Sequence, residues 1–130
     1  MGYGILILKN IFGNLVRKLF NMHQQKQVEE FLNERGWRKF HTPKELLLGM
    51  VEEIGEFRTI IKWEQDETKV KEKIIAKHDE VDDFFGDMLW ELSSLANYCE
   101  VNLSDALDRV IVAHKKRFPV EGTKDKHTNE

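Results

Sequence analysis

The sequence is poor in cysteine and proline and carries no strong excess of charge. Its single cysteine, Cys99, excludes a disulfide framework within the chain and favours a reducing compartment, which we expect to be the cytoplasm. The net charge of −3 argues against a nucleic-acid polymer as partner, because general nucleic-acid-binding proteins usually carry a basic face. The two prolines, Pro43 and Pro119, stand where a helix would begin or end. The positions of the two prolines therefore favour a helical protein.

Long apolar runs are also absent. The longest run near the start, Ile5 to Leu8, is far shorter than the roughly 20 residues that span a bilayer, and no charged segment precedes it as in a signal peptide. Apolar residues then recur at helical spacing as far as Phe20. The segment 1–21 is therefore either an interfacial amphipathic helix or an over-extended start with Met22 as the natural first residue. We treat it as an extension outside the fold and expect no membrane partner.

The remaining sequence predicts one domain over 22–120, followed by a polar tail over 121–130, since 130 residues suffice for a single core. Thr42, Pro43 and Glu45 form the N-cap, first position and capping box of a helix. Four helices are predicted, over 24–35, from Pro43 to about Glu64, from about Lys69 to Cys99, and from Asn102 to the residues before Pro119. Short connections between them favour an all-α, four-helix-bundle-like fold.

Helical periodicity assigns a core stripe to each of the three longer helices. In the helix that begins at Pro43, the predicted core residues are Leu46, Leu47, Met50, Val51, Ile54, Phe57 and Ile61. In the next helix they are Val81, Phe84, Phe85, Met88, Leu89, Leu92, Leu95 and Ala96. In the last helix they are Leu103, Leu107, Val110 and Ile111.

Carboxylates flank two of these stripes. Glu53 and Glu56 border the first, and Asp83 and Asp87 border the second. Acidic residues one turn apart repel each other by a few tenths of a kcal/mol, and partial burial makes this worse unless a cation neutralises them. A lone pair of this kind is more often a solvated surface. Two pairs on neighbouring helices predict a four-carboxylate cage for a hard cation such as Mg²⁺.

A di-iron bundle is the competing metal site. It would require Glu-x-x-His, and none of the five histidines stands three residues after a glutamate. The sequence therefore favours the hard cation.

Several motifs resemble the MazG-like all-α nucleoside triphosphate pyrophosphohydrolases. Residues 51–56, Val-Glu-Glu-Ile-Gly-Glu, match the Glu-Glu-x-x-Glu motif, and residues 86–97 resemble the second-motif helix. The closest branch is that of the dCTP pyrophosphatase-like proteins, which residues 36–48, 61–63 and 115–119 resemble. The similarity runs from about Val28 to Pro119.

The resemblance implies Mg²⁺-dependent hydrolysis of a nucleoside triphosphate, of dCTP type, between its α and β phosphates, in nucleotide-pool house-cleaning. It also implies a homodimer or a homotetramer. The implied water-orienting carboxylate is Glu53, with Glu52 as second choice. The implied metal ligands are Glu53, Glu56 and Asp87 with a partner. The implied residues of the nucleoside pocket are Trp37, His41 and Trp63. The implied phosphate-binding residues are Lys115 and Arg117.

One position departs from the family pattern. The second motif is Glu-x-x-Asp, yet Phe84 stands three residues before Asp87. We prefer Asp83 as the partner of Asp87, while Glu91 and Glu80 remain open. The departure also keeps open a different class of function, a non-catalytic helical module that binds nucleotides or proteins through a degenerate metal site.

Overall fold

The structure, a computed structural model, describes residues 2–125 and is helical, with no strand among those residues. The α-helices are α1 (Gly2–Glu34), α2 (Pro43–Ile61), α3 (Glu67–Ala76), α4 (His78–Tyr98) and α5 (Leu103–Arg117). A short turn, Val120–Thr123, follows, in which Glu121 and Gly122 depart from helical backbone angles. A 3₁₀ turn, Arg38–Phe40, precedes α2. The predicted all-α class is confirmed, and positions 126–130 of the predicted tail lie outside the described residues.

The chain divides into two units. One unit consists of residues 24–100, and the other combines the N-terminal part of α1 with the chain beyond residue 100. In this second unit Asn102 is the N-cap of α5, and its side chain accepts a hydrogen bond from Asp105 N at 2.9 Å. Exposed apolar side chains line the first part of α1, namely Ile7, Leu8, Ile11, Phe12, Leu15, Val16 and Leu19. Within residues 2–125, no helix is both long and apolar enough to cross a membrane.

The predicted start of α2 is confirmed. Thr42 Oγ1 accepts a hydrogen bond from Glu45 N at 3.4 Å, and Pro43 takes the first helical position. The helix ends at Ile61 rather than near Glu64, because the following residues leave helical geometry and Trp63 adopts a φ of 70°.

The predicted helix from Lys69 to Cys99 is instead two helices, α3 and α4. The break lies at Lys77, whose ψ of 33° interrupts the helical path. Apolar residues keep the same helical phase on both sides, from Val70 and Ile74 to Val81, so their periodicity contains no signal of the break.

Helices α2 and α4 pack against each other in the unit formed by residues 24–100, and the end of α1 adds to the same core. Leu32, Leu46 and Ala96 are buried there, with Leu32 fully inaccessible. A reciprocal amide pair joins α1 to α4: Gln25 Nε2 donates to Asn97 Oδ1 at 3.1 Å, and Asn97 Nδ2 donates to the Gln25 carbonyl at 2.8 Å.

The predicted core stripes are wrong in part, because one side of each stripe is exposed. On α2, Leu47, Val51 and Ile54 are more than half exposed, at 52%, 64% and 53%. The exposed members on α4 are Phe85, Leu89 and Leu92, and those on α5 are Leu107, Val110 and Ile111. A helical wheel shows which apolar side chains share a face, but it does not show how much of that face a neighbouring element covers.

The amide pair predicts a specific cost for Asn97→Ala. This change removes two hydrogen bonds and leaves partly buried groups of Gln25 without them, so we expect unfolding free energy to fall by about 1–3 kcal/mol in denaturant titration. The matched control is Asn33→Ala, because Asn33 makes only an exposed bond to Glu29 at 3.4 Å. Equal losses in the two variants would contradict a structural role for the pair.

Candidate active site

The antiparallel packing of α2 and α4 places their side chains opposite one another in successive layers, one helical turn apart. The layers are Gly49 with Glu91, Glu53 with Asp87, and Phe57 with Phe84, whose ring centroids lie 4.8 Å apart. Sequence numbers rise along one helix while they fall along the other, as antiparallel pairing requires. This register determines which carboxylates share a space.

A cavity of about 210 Å³ lies along these layers. Carboxylates and three apolar side chains form its wall: Glu53, Glu56, Phe57, Ile60, Glu80, Asp83, Phe84 and Asp87. All four side chains that the sequence nominates for the metal therefore line one cavity. Their role as ligands remains a prediction.

The structure distinguishes the residues considered as partners of Asp87. Phe84 forms part of the cavity wall, against Phe57. Asp83 and Glu80 line the same cavity, whereas Glu91 is absent from its wall and lies beside Gly49. The geometry therefore leaves Asp83 and Glu80 as partners of Asp87 in the cavity and gives Glu91 a different environment.

The cavity carries excess negative charge. Burial raises the pKa of Glu53, and the charges of Asp87 and Glu56 raise it further. The pKa of Glu91 is also raised, by burial first and then by Glu53 and Asp87. Glu52, the second candidate for orienting water, is exposed and adds to the field at Glu53 without lining the cavity. A cation would relieve the mutual repulsion of these groups.

The donor set suits a hard divalent cation. Every polar cavity-lining side chain offers carboxylate oxygen, the ligand type that Mg²⁺ prefers. Among the described residues, no three Asp, Glu, His or Cys side chains converge closely enough to hold an ion by themselves. Because Mg²⁺ commonly keeps waters and substrate phosphates in its shell, a site of spaced carboxylates still fits it.

An aromatic cluster forms before the start of α2. The rings of Trp37 and His41 are stacked, 6.3 Å apart and 9° from parallel, and His41 Nδ1 lies 3.0 Å from the Trp37 carbonyl oxygen. Trp90 contacts His41 edge-on at 6.3 Å, and Phe31 contacts Trp90 at 5.0 Å. The sequence had indicated Trp37 and His41 for the nucleoside pocket. It missed Phe31 and Trp90, although Trp90 falls beside Asp87 on the helical wheel.

One other predicted substrate residue, Trp63, lies at the opposite end of α2 from the aromatic cluster. Trp63 is 87% exposed and follows the C-terminal end of α2, whereas His41 precedes its N-terminal end. A helix of 19 residues separates them by about 28 Å. Lys115 and Arg117 belong to α5, in the other unit. Their role with phosphates remains a prediction.

Comparison with known proteins agrees with the motifs. No family model matches the chain. It is similar to dCTP pyrophosphatase 1 from Bos taurus, with 32% identity over 97 residues that cover 70% of this chain and 54% of the relative. For the Homo sapiens protein the identity is also 32%, over 91 residues that cover 69% and 54%. The chain thus spans about half the length of the curated relatives it matches.

A solved structure shows the same architecture. The crystal structure of a pyrophosphatase from Archaeoglobus fulgidus aligns with a TM-score of 0.67 and 29% identity, covering 72% of this chain and 87% of that one. The sequence matches and the helical arrangement point to the same group of proteins. The chain has the all-α fold of the MazG-like pyrophosphohydrolases, and its predicted resemblance to their dCTP pyrophosphatase-like branch is confirmed.

Proposed function

We propose that this protein hydrolyses a nucleoside triphosphate between the α and β phosphates, releasing the monophosphate and pyrophosphate. The observation that carries the proposal is the cavity in which Glu53 and Glu56 of α2 meet Asp83 and Asp87 of α4. The similarity to dCTP pyrophosphatases supports a triphosphate as substrate and a dCTP-like nucleotide in particular. A cytoplasmic role in clearing the nucleotide pool is part of the same proposal.

The four carboxylates Glu53, Glu56, Asp83 and Asp87 would hold Mg²⁺. When bound, the cation would neutralise phosphate oxygens and polarise the attacking water. Without it, the acidic cavity would repel a triphosphate, so substrate binding itself depends on the metal. Glu53 is half-buried, and burial together with the charges of Asp87 and Glu56 raises its pKa, which suits a group that orients water and accepts its proton.

The aromatic cluster would bind the nucleoside. Trp37 is 43% exposed and stacks on His41, so part of its ring is available to a base. Trp90 and Phe31 hold these rings from the protein side through edge-on contacts. Trp63, Lys115 and Arg117 remain candidates for further substrate contacts from the predicted set.

The rival function is a non-catalytic binding module whose metal site was lost with the glutamate expected at Phe84. The position of Asp83 in the cavity wall favours the enzyme, since it returns a carboxylate to the site from the adjacent residue. Pyrophosphate release from a panel of triphosphates separates the two functions. Saturable binding without turnover would support the module.

Self-association through the exposed apolar face of the α2–α4 pair is part of the proposal. This face consists of Leu47, Val51, Ile54, Phe85, Leu89 and Leu92, all at least 42% exposed. On a helical wheel it lies on the opposite side of the pair from the carboxylates. Contiguous exposed apolar surface of this kind is typical of interaction sites, and a homodimer or homotetramer would cover it.

Glu53→Gln tests the assignment of the site. It should abolish Mg²⁺-dependent pyrophosphate release, lowering kcat by about 100-fold or more, because the water loses its oriented acceptor. The same change should raise the unfolding midpoint in EDTA, since like charges one turn apart cost a few tenths of a kcal/mol per pair.

Glu72→Gln is the matched control, because Glu72 is an exposed glutamate on α3 outside the cavity. It should leave both the rate and the midpoint unchanged. Full turnover by Glu53→Gln would refute the assignment of the site, and a lower midpoint in EDTA would refute the account of charge repulsion.

A further prediction concerns the apolar face. Ile54→Lys should shift the protein to a smaller species in light scattering coupled to size-exclusion chromatography, because a charge would enter the proposed interface. Ile75→Lys places the same change on α3, where Ile75 is 64% exposed, and should not alter the mass. A wild-type monomer at micromolar concentration would rule out this use of the face.

A further inference from the structure

Glu91 of α4 lies against Gly49, a residue of α2 that has no side chain. A Cβ added to Gly49 would overlap Glu91 Oε1 and would lie 2.8 Å from Cδ and 3.1 Å from Oε2. Glycine in the middle of a helix is destabilising relative to alanine. Gly49 thus leaves space that the Glu91 carboxylate occupies.

The carboxylate that fills this space is incompletely bonded. Glu91 Oε2 is buried and has no hydrogen-bond partner in the described structure. A buried carboxylate oxygen without a donor is destabilising, because it has lost its water partners and gained none in the protein. The protein therefore keeps an acceptor at this point that its own groups do not satisfy, as expected where a ligand supplies the donor.

The location of Glu91 indicates which part of a substrate would reach it. It lies one helical turn, about 5.4 Å along the axis, from the layer of Glu53 and Asp87. The helix α2 runs antiparallel to α4, so this turn leads towards the N-terminal end of α2, which His41 precedes. His41 is near enough to act electrostatically on Glu91. A nucleotide whose phosphates occupy the acidic cavity would extend its nucleoside past Glu91 to His41.

The chemistry of a carboxylate then selects among nucleosides. An ionised carboxylate only accepts hydrogen bonds, so it pairs with an amino group on the Watson–Crick edge of a base, such as N4 of cytosine. Uracil presents a carbonyl oxygen at the same place, and two acceptors would face each other without a proton. Glutamine differs, because its amide both donates and accepts.

We propose that Glu91 is a specificity-determining residue that accepts a hydrogen bond from the exocyclic amino group of the substrate base. This inference rests on the proposed function, since it needs the triphosphate in the acidic cavity. It separates Glu91 from the predicted metal ligands: the carboxylates of the cavity take the phosphates and their cation, and Glu91 reads the base.

The test compares dCTP with dUTP, which differ at this group. Dissociation constants for their α,β-imido analogues with Mg²⁺ are measured by calorimetry, alongside pyrophosphate release from the natural nucleotides. We expect the wild type to favour the cytosine nucleotide by about 10- to 100-fold, the effect of a hydrogen bond to a charged group. In Glu91→Gln the preference should fall to about threefold or less, while the Mg²⁺ concentration for half-maximal activity stays the same.

Two glycine variants extend the test without altering the carboxylate. Gly49→Ala should displace Glu91 and lower the preference as Glu91→Gln does, because its Cβ overlaps the side chain. Gly55→Ala, on the same helix with open space around its Cβ, should retain the wild-type preference. Unfolding midpoints of all three variants establish that each is folded.

Other outcomes contradict the proposal in distinguishable ways. An equal loss for both nucleotides in Glu91→Gln, with a raised Mg²⁺ requirement, would make Glu91 a metal ligand. If Glu91→Gln instead changed the preference between 3′-deoxynucleotides and nucleotides that carry a 3′-hydroxyl, with the base preference intact, Glu91 would lie at the sugar. An unchanged base preference would remove it from the pocket. Wild-type binding without pyrophosphate release would refute the proposed function and leave the base preference as the test of Glu91.

Discussion

The antiparallel register of α2 and α4 is the constraint on which the rest of the structure depends. It is held by the contact of Phe57 with Phe84 and by the approach of Glu91 to Gly49. Each residue turns a helix by 100°, so a slip of one residue would carry Asp87 away from Glu53 and dismantle the cavity. The apolar layers therefore do more than bury surface. They decide which charges meet, and the same rotation leaves the apolar face on the other side of the pair.

The register also imposes a cost. It gathers carboxylates that repel one another and leaves Glu91 Oε2 buried without a donor, while Gly49 lowers the helix propensity of α2. These three features act against stability at neighbouring positions. Proteins usually retain such destabilising features where binding depends on them. Here a bound cation and a bound nucleotide could together satisfy all of these groups. The buried contacts of Leu32 and Leu46 and the amide pair of Asn97 stabilise the same unit against this cost.

Helical periodicity could predict much of this site because its elements are local. The N-cap bond of Thr42 and the placement of Glu53 and Glu56 in one cavity depend on residues one turn apart, and both are as expected. The break at Lys77 could not be predicted, since the apolar phase continues through it. Contacts between distant segments could not be predicted from helical periodicity either. Phe31 and Trp90 are 59 positions apart in the sequence, and only packing brings their ring centroids to 5.0 Å. The exposure of Leu47, Val51 and Ile54 likewise depends on which neighbour covers a helix, which a single helix does not encode.

The replacement of the expected glutamate by Phe84 changes how the site would work. Phe84 packs on Phe57, so this part of the wall is apolar, and the carboxylate of Asp83 enters from a position 100° away on the helix. Asp83, Asp87 and Glu56 are exposed, and the described carboxylates do not converge on one point. Such a set would bind a free cation weakly, because each ligand must give up side-chain freedom before it coordinates. A triphosphate supplies oxygen ligands of its own and removes much of that requirement. We therefore expect the cation to enter this site together with the nucleotide, which makes the phosphates part of the metal site and leaves base recognition to side chains outside it.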